Sequence, residues 1–95
     1  MLFRSLLVVD DAHGGGTVGA HGGGGVEVEG VNRQRLVQCV TLSKAFGCYG
    51  GAVLCSKRFR EQIMERSSLF IGSTPLPLPL AHAAFVSVEI GRAHV

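Results

Sequence analysis

The apolar residues of the first half of this chain come in short unbroken runs, the mark of strands, and only later fall at helical spacing. Leu6-Leu7-Val8-Val9 is the first run and stops at Asp10-Asp11, as a strand buried on both faces does when its carboxyl end meets polar space. Leu36 to Thr41 predicts a second strand and Ala52 to Cys55 a third, with a turn at Ser43-Lys44-Ala45-Phe46-Gly47 and Gly50-Gly51 leading into the third. Ser56 offers an N-cap for a helix from Lys57 to about Ser67, with Phe59 and Ile63 on one face. Leu69 to Thr74 reads as extended or irregular, because Pro75, Pro77 and Pro79 exclude a helix through it, and a last helix starts at Leu80.

Between His13 and Gly30 the pattern gives way to glycine, and nine of the chain's fourteen glycines lie there. Such a backbone has several positions able to take positive φ, so the expectation is a loop with a mobile tip and no helix. The tail Glu89 to Val95 matches what one reading frame of a sequencing-library adapter would encode, and the helical pattern is lost at Gly91. Residues 1–88 are therefore read as part of one domain and residues 89–95 as a non-native tail, with no role given to Arg92.

Composition narrows the picture. A 95-residue chain has room for one small domain, but this glycine content raises the entropy lost on folding. An apolar fraction of 46% and a mean hydropathy of +0.33 suit buried strands of a larger α/β protein, so the chain is expected to be a fragment of one. A formal charge of +2 is too small to imply nucleic acid, and the basic residues from Lys57 to Arg66 are interrupted by Glu61 and Glu65. Met1 to Val9 is too short for a secretory apolar region. Pro75 to Val88, broken by prolines and His82, is shorter than the ~20 residues that span a bilayer. Cys39, Cys48 and Cys55 form no CxxC pair, so neither disulfides nor zinc is signalled, and reduced thiols in the cytoplasm are expected.

Three clusters carry candidate chemistry: Asp10-Asp11-Ala12-His13 at a strand end, Thr41-Leu42-Ser43-Lys44-Ala45-Phe46-Gly47 after another strand, and Ser73-Thr74-Pro75-Leu76-Pro77 beyond the helix. Together, in this order and spacing, they resemble the alpha-oxoamine synthases, pyridoxal-phosphate (PLP) enzymes of fold type I, over Leu6 to Ala84. The resemblance implies an α/β fold, here a fragment of the large PLP-binding domain with a mostly parallel sheet flanked by helices. It also implies an activity: an amino acid displaces the lysine from the cofactor aldehyde, loses a proton and attacks an acyl-CoA thioester, and decarboxylation yields an alpha-oxoamine.

By the same resemblance Lys44 matches the lysine that holds the cofactor as a Schiff base and shuttles protons. Asp10 matches the carboxylate that keeps the pyridine nitrogen protonated, since an opposite charge within ~4 to 6 Å favours the charged form. His13 matches a histidine that hydrogen-bonds the phenolic oxygen, and Thr41 a hydroxyl on the cofactor phosphate. Ser73 and Thr74 would reach the phosphate of the neighbouring subunit, because the family's site is shared across a homodimer. Ser43 and the Ser73 to Pro77 stretch point within the family to its biotin-pathway member, which joins pimeloyl-CoA and alanine. The family's ring-stacking residue and substrate-carboxylate arginine have no counterpart here, so the isolated chain is expected to be inactive.

Each residue also has a plain structural explanation. A lysine is usually a solvated surface charge, Asp10 and Asp11 can end a strand as turn residues, and His13 can be a loop histidine. Function is assigned to Asp10 and structure to Asp11, while His21, His82 and His94 receive no role. Gly14-x-Gly16-x-x-Gly19 fits a dinucleotide fingerprint only formally, since Asp10 to His13 separate it from its strand and glycines replace the helix start. The alternatives are a fold type I aminotransferase using the same lysine and aspartate without CoA, a truncated product without activity, and a glycine-rich binding module.

Overall fold

The computed structural model describes residues 6–67 and 76–93, with side chains described as far as Gly91. Three strands, β1 (Leu7–Asp10), β2 (Leu36–Thr41) and β3 (Gly51–Leu54), form one sheet in the order β1-β2-β3. β2 runs parallel to β1 and antiparallel to β3, so the sheet is mixed. The sequence placed β2 with the same bounds. β1 is one residue later than expected, because Asp10 stays in the ladder opposite Cys39, and β3 is one residue earlier, because Gly51 pairs with Thr41. β2 is central and takes the burial: Leu36 and Val37 are buried, whereas Val8 and Val53 on the outer strands are 62% and 54% exposed.

Helix α2 (Lys57–Arg66) begins as the sequence predicts, with the Ser56 hydroxyl accepting from the Phe59 N–H at 3.2 Å. It borders Gly51, Val53 and Cys55 across a shared cleft. Helix α3 (Leu78–Ala93) starts two residues before Leu80. Pro79 is tolerated because its missing N–H falls in the first turn, where no intrahelical acceptor exists; the Leu80 and Ala81 N–H groups donate to the Pro77 carbonyl instead. α3 also runs through Gly91, where the sequence suggested that the helical pattern stops. One interior glycine costs about 1 kcal/mol relative to alanine, which is too little to end a helix of this length.

The glycine-dense segment differs from its expectation. It contains a single helical turn, α1 (Gly25–Val28), followed by a 3₁₀ turn at Arg33–Arg35 that Asn32 caps through its side chain. Two side chains of α1 explain the turn. Val26 is buried among the few core residues, and the Glu27 carboxylate accepts from the N–H groups of His21 and Gly23 at 2.9 and 3.1 Å. The main chain folds back on itself as well, with Gly16 N–H donating to Gly22 O at 2.8 Å and Gly24 N–H to Val18 O at 2.9 Å. Among the described residues no helix is long and apolar enough to cross a membrane.

Candidate functional site

Because β1 and β2 are parallel, both end at the same edge of the sheet, and the candidate side chains are carried past that edge. Register pairs Asp10 with Cys39, and strand alternation then puts Asp10, Cys39 and Thr41 on one face, with Val9, Gln38 and Val40 on the other. The Asp10 carboxylate is exposed and accepts from the Ala12 N–H at 3.2 Å. Asp11 turns to the opposite face, where it is buried and accepts from the Gln38 side-chain amide at 2.8 Å. Two adjacent carboxylates therefore stand in opposite environments, one open to a ligand and one committed to the fold.

His13 follows in the first turn after β1, exposed, with its carbonyl accepting from the Thr17 hydroxyl at 2.8 Å. Lys44 lies in the turn after β2, which closes through Leu42 N–H to Gly50 O at 2.8 Å, Cys48 N–H to Leu42 O at 2.6 Å and Gly47 N–H to Lys44 O at 3.1 Å. Gly47 takes φ +63° there, a left-handed conformation that favours glycine. The Lys44 side chain is exposed, and its amine has no hydrogen-bond or ion-pair partner among the described residues. Thr41 is placed differently from a hydroxyl waiting for phosphate. Its oxygen lies 2.7 Å from the Ser43 hydroxyl and accepts from the Ser43 N–H at 3.2 Å, and it also donates to Gly50 O at 3.4 Å.

The two turns touch. A Cβ added to Gly16 would lie 2.9 Å from both the Ala45 Cβ and the Phe46 ring, so the glycine turn backs directly onto the residues after Lys44. On its other side the Lys44 turn is tied to α3, with the Ser87 hydroxyl donating to Phe46 O at 2.6 Å. Asp10, His13, Thr41 and Lys44 thus all lie on the carboxyl edge of the β1–β2 pair or in the two turns leaving it. Ser73 and Thr74 lie outside the described residues.

Sequence reasoning did not anticipate the polar groups beneath this edge. Gln38 is only 1% exposed; it donates to Asp11 and to Gly23 O at 3.0 Å, and accepts from Arg33 at 2.9 Å. The signal was a lone glutamine inside the apolar run Leu36-Val37-Gln38-Cys39-Val40. Glu27 was missed too. The backbone N–H groups of His21 and Gly23 hold its carboxyl below the usual carboxylate range, and the His21 ring nitrogen, 2.9 Å from its second oxygen, adds to this.

The profile of one protein family, aminotransferase class I and II, matches residues 3–90 of the chain. An 8-amino-7-oxononanoate synthase from Arabidopsis thaliana is 42% identical over 90 residues, which are 95% of this chain and 19% of that protein. Among solved structures, the 8-amino-7-oxononanoate synthase of Francisella tularensis superposes with a TM-score of 0.78 at 28% identity, covering 90% of this chain and 26% of that one. A lysine-to-alanine variant of serine palmitoyltransferase from S. paucimobilis, with a bound PLP–myriocin aldimine, gives a TM-score of 0.81 at 28% identity, covering 94% of this chain and 23% of that one. The chain spans about a fifth of the length of the curated relatives it matches.

Proposed function

The chain belongs to the aminotransferase class I and II family, and from that premise we propose that it is the cofactor-anchoring segment of a PLP-dependent acyltransferase like 8-amino-7-oxononanoate synthase. The reaction joins an amino acid to an acyl-CoA and releases carbon dioxide and free CoA. The reading rests above all on one observation. Asp10 and Lys44 leave neighbouring parallel strands at the same edge, both exposed, with Gly16 packed onto the residues that follow Lys44. The names of the relatives support the choice of reaction, and the PLP of the serine palmitoyltransferase structure supports the choice of cofactor.

The donor set fits that group: an unpartnered amine to hold an aldehyde, an open carboxylate for a protonated ring nitrogen, and an imidazole for the phenolic oxygen. When bound, PLP supplies an electron sink for the charge that develops at the substrate's alpha carbon. Everything else falls to the chain. Asp10 keeps a proton on the ring nitrogen. Lys44 would hold the cofactor through its amine and would serve as the base that takes and returns the alpha proton. His13 would fix the orientation of the ring, and Thr41 would offer its hydroxyl to the phosphate in place of Ser43. Ser73 and Thr74 serve the phosphate of the second subunit of a homodimer, in the cytoplasm. The reading keeps residues 89–95 apart as a non-native tail, although the family match runs two residues into it, to residue 90.

The test is to splice this chain into the Arabidopsis thaliana relative in place of its matching residues and supply pimeloyl-CoA and alanine. CoA release is expected, and Asp10→Asn should lower it by about 100-fold or more, the usual scale for losing a positioned charge at a reacting centre. A spliced enzyme that folds and takes up PLP but transfers an amino group to a keto acid, with no CoA released, would contradict the acyltransferase reading. Alone, the 95-residue chain is expected to show no imine absorbance on addition of PLP.

A further inference from the structure

We infer that Asp11 is a positioning residue, held by a buried Gln38–Arg33 relay, that sets where its neighbours Asp10 and His13 stand; the inference rests on the cofactor-binding reading above. Asp11 is 8% exposed and Gln38 1%. A carboxylate so placed survives burial only with hydrogen-bond donors on it. Gln38 supplies one from Nε2 to Asp11 Oδ2 at 2.8 Å, and its other amide end accepts from Arg33 Nη1 at 2.9 Å. The relay thus connects a buried anion to an exposed cation through one amide whose two ends both have partners.

It also grips the glycine turn. Gln38 Nε2 donates to Gly23 O at 3.0 Å, and Arg33 Nη2 reaches the same carbonyl at 3.4 Å. Asp11 adds main-chain anchors on both sides, its N–H donating to Cys39 O at 2.8 Å and its carbonyl accepting from the Gly15 N–H at 2.9 Å. A Cβ on Gly14 or on Gly24 would run into the Asp11 carboxylate, so the backbone wraps around that group on two sides. Asp10 is the residue before this anchor, and His13 sits between it and Gly14. Among the described residues the Asp10 carboxylate accepts from the Ala12 N–H alone, and His13 is fixed through its carbonyl. Register sets the face on which Asp10 stands, and the clamp on Asp11 holds the end of that strand and sets where the turn carries His13.

The experiment is amide hydrogen exchange with His13 ring resonances by NMR, on the 95-residue chain without cofactor. The relay predicts protected amides at Gly15, Gly16 and Gly24 in the unsubstituted chain. Gln38→Leu, which keeps the volume and removes the amide, should speed exchange at those three positions by about tenfold, the scale of one lost hydrogen bond. It should also shift the His13 ring signals while leaving the β2–β3 amides unchanged. Asp11→Ala should do the same, and Asp11→Asn, which retains an acceptor for Gln38, should restore most of the protection. Three results would overturn the inference: no protection at those glycines in the unsubstituted chain, unchanged glycine exchange in Gln38→Leu, or equal acceleration across the sheet. A failure to bind PLP moves none of these signals, so it would sink the proposed function separately.

Discussion

The two turns that leave the carboxyl edge of the sheet solve the same problem by different means. The turn after β1 is built almost wholly of glycine and has little side-chain surface to pack. Besides its own backbone hydrogen bonds it leans on two carboxylates: Asp11 sits inside it against Gly14 and Gly24, and Glu27 takes the N–H groups of His21 and Gly23 from outside. The turn after β2 is richer in side chains and is closed by its own backbone, by the Thr41–Ser43 hydroxyl pair and by Ser87 of α3. Glycine density therefore does not imply an open loop where charged acceptors replace packing. The two modes of support should also fail differently when cut.

The largest expected difference is functional. Lys44→Met in the spliced enzyme should abolish PLP attachment, while the unfolding midpoint stays within error of the parent, because the exposed amine holds no part of its turn. Absorbance titration and a urea melt read the two effects. Next come the glycines. Gly24 has φ +86°, and an added methyl group would press on the Asp11 carboxylate and the Gln38 amide. Gly24→Ala should therefore cost about 2–4 kcal/mol, combining left-handed strain with overpacking. Gly47, at φ +63°, has nothing within 4 Å of such a methyl, so Gly47→Ala should cost only the strain of about 1–2 kcal/mol. Equal costs in urea unfolding would erase the contrast between the turns.

Two smaller effects sharpen it. Ser87→Ala removes one hydrogen bond to Phe46 O and should cost about 1 kcal/mol, confined to the Lys44 turn. Glu27→Gln should act through pH. The Glu27 carboxyl is lowered in the folded chain, so its contribution is present above the unfolded carboxylate value and lost as pH falls through the folded one. Below roughly pH 4 the unsubstituted chain should lose stability more steeply than Glu27→Gln. Parallel pH profiles would remove Glu27 from the account of the glycine turn.

What could be read beforehand follows the same division. β2 and the capped start of α2 were legible because unbroken apolar runs and an N-cap serine are local signals. The early start of α3 was hidden by Pro79, whose cost vanishes in a first helical turn. α1 and the Asp11–Gln38 bond were not legible, because they depend on acceptors brought together across the fold, Asp11 and Gln38 being 27 residues apart. The assignments of Asp10, His13, Thr41 and Lys44 came from the resemblance of three clusters to a family. Strand register adds a reason that no pattern contained: it sends Asp10 and Asp11 to opposite faces.

The central claim is that one amine and one carboxylate at neighbouring strand ends hold the same bound ring. Its most direct test is borohydride reduction of the spliced enzyme in the presence of PLP, followed by digestion and mass mapping of the pyridoxyl group, with and without Asp10→Asn. Modification of Lys44 is predicted in both, with the cofactor's long-wavelength absorbance shifted only in the aspartate variant. A pyridoxyl group on Lys57 instead, or a spectrum indifferent to Asp10, would contradict the account.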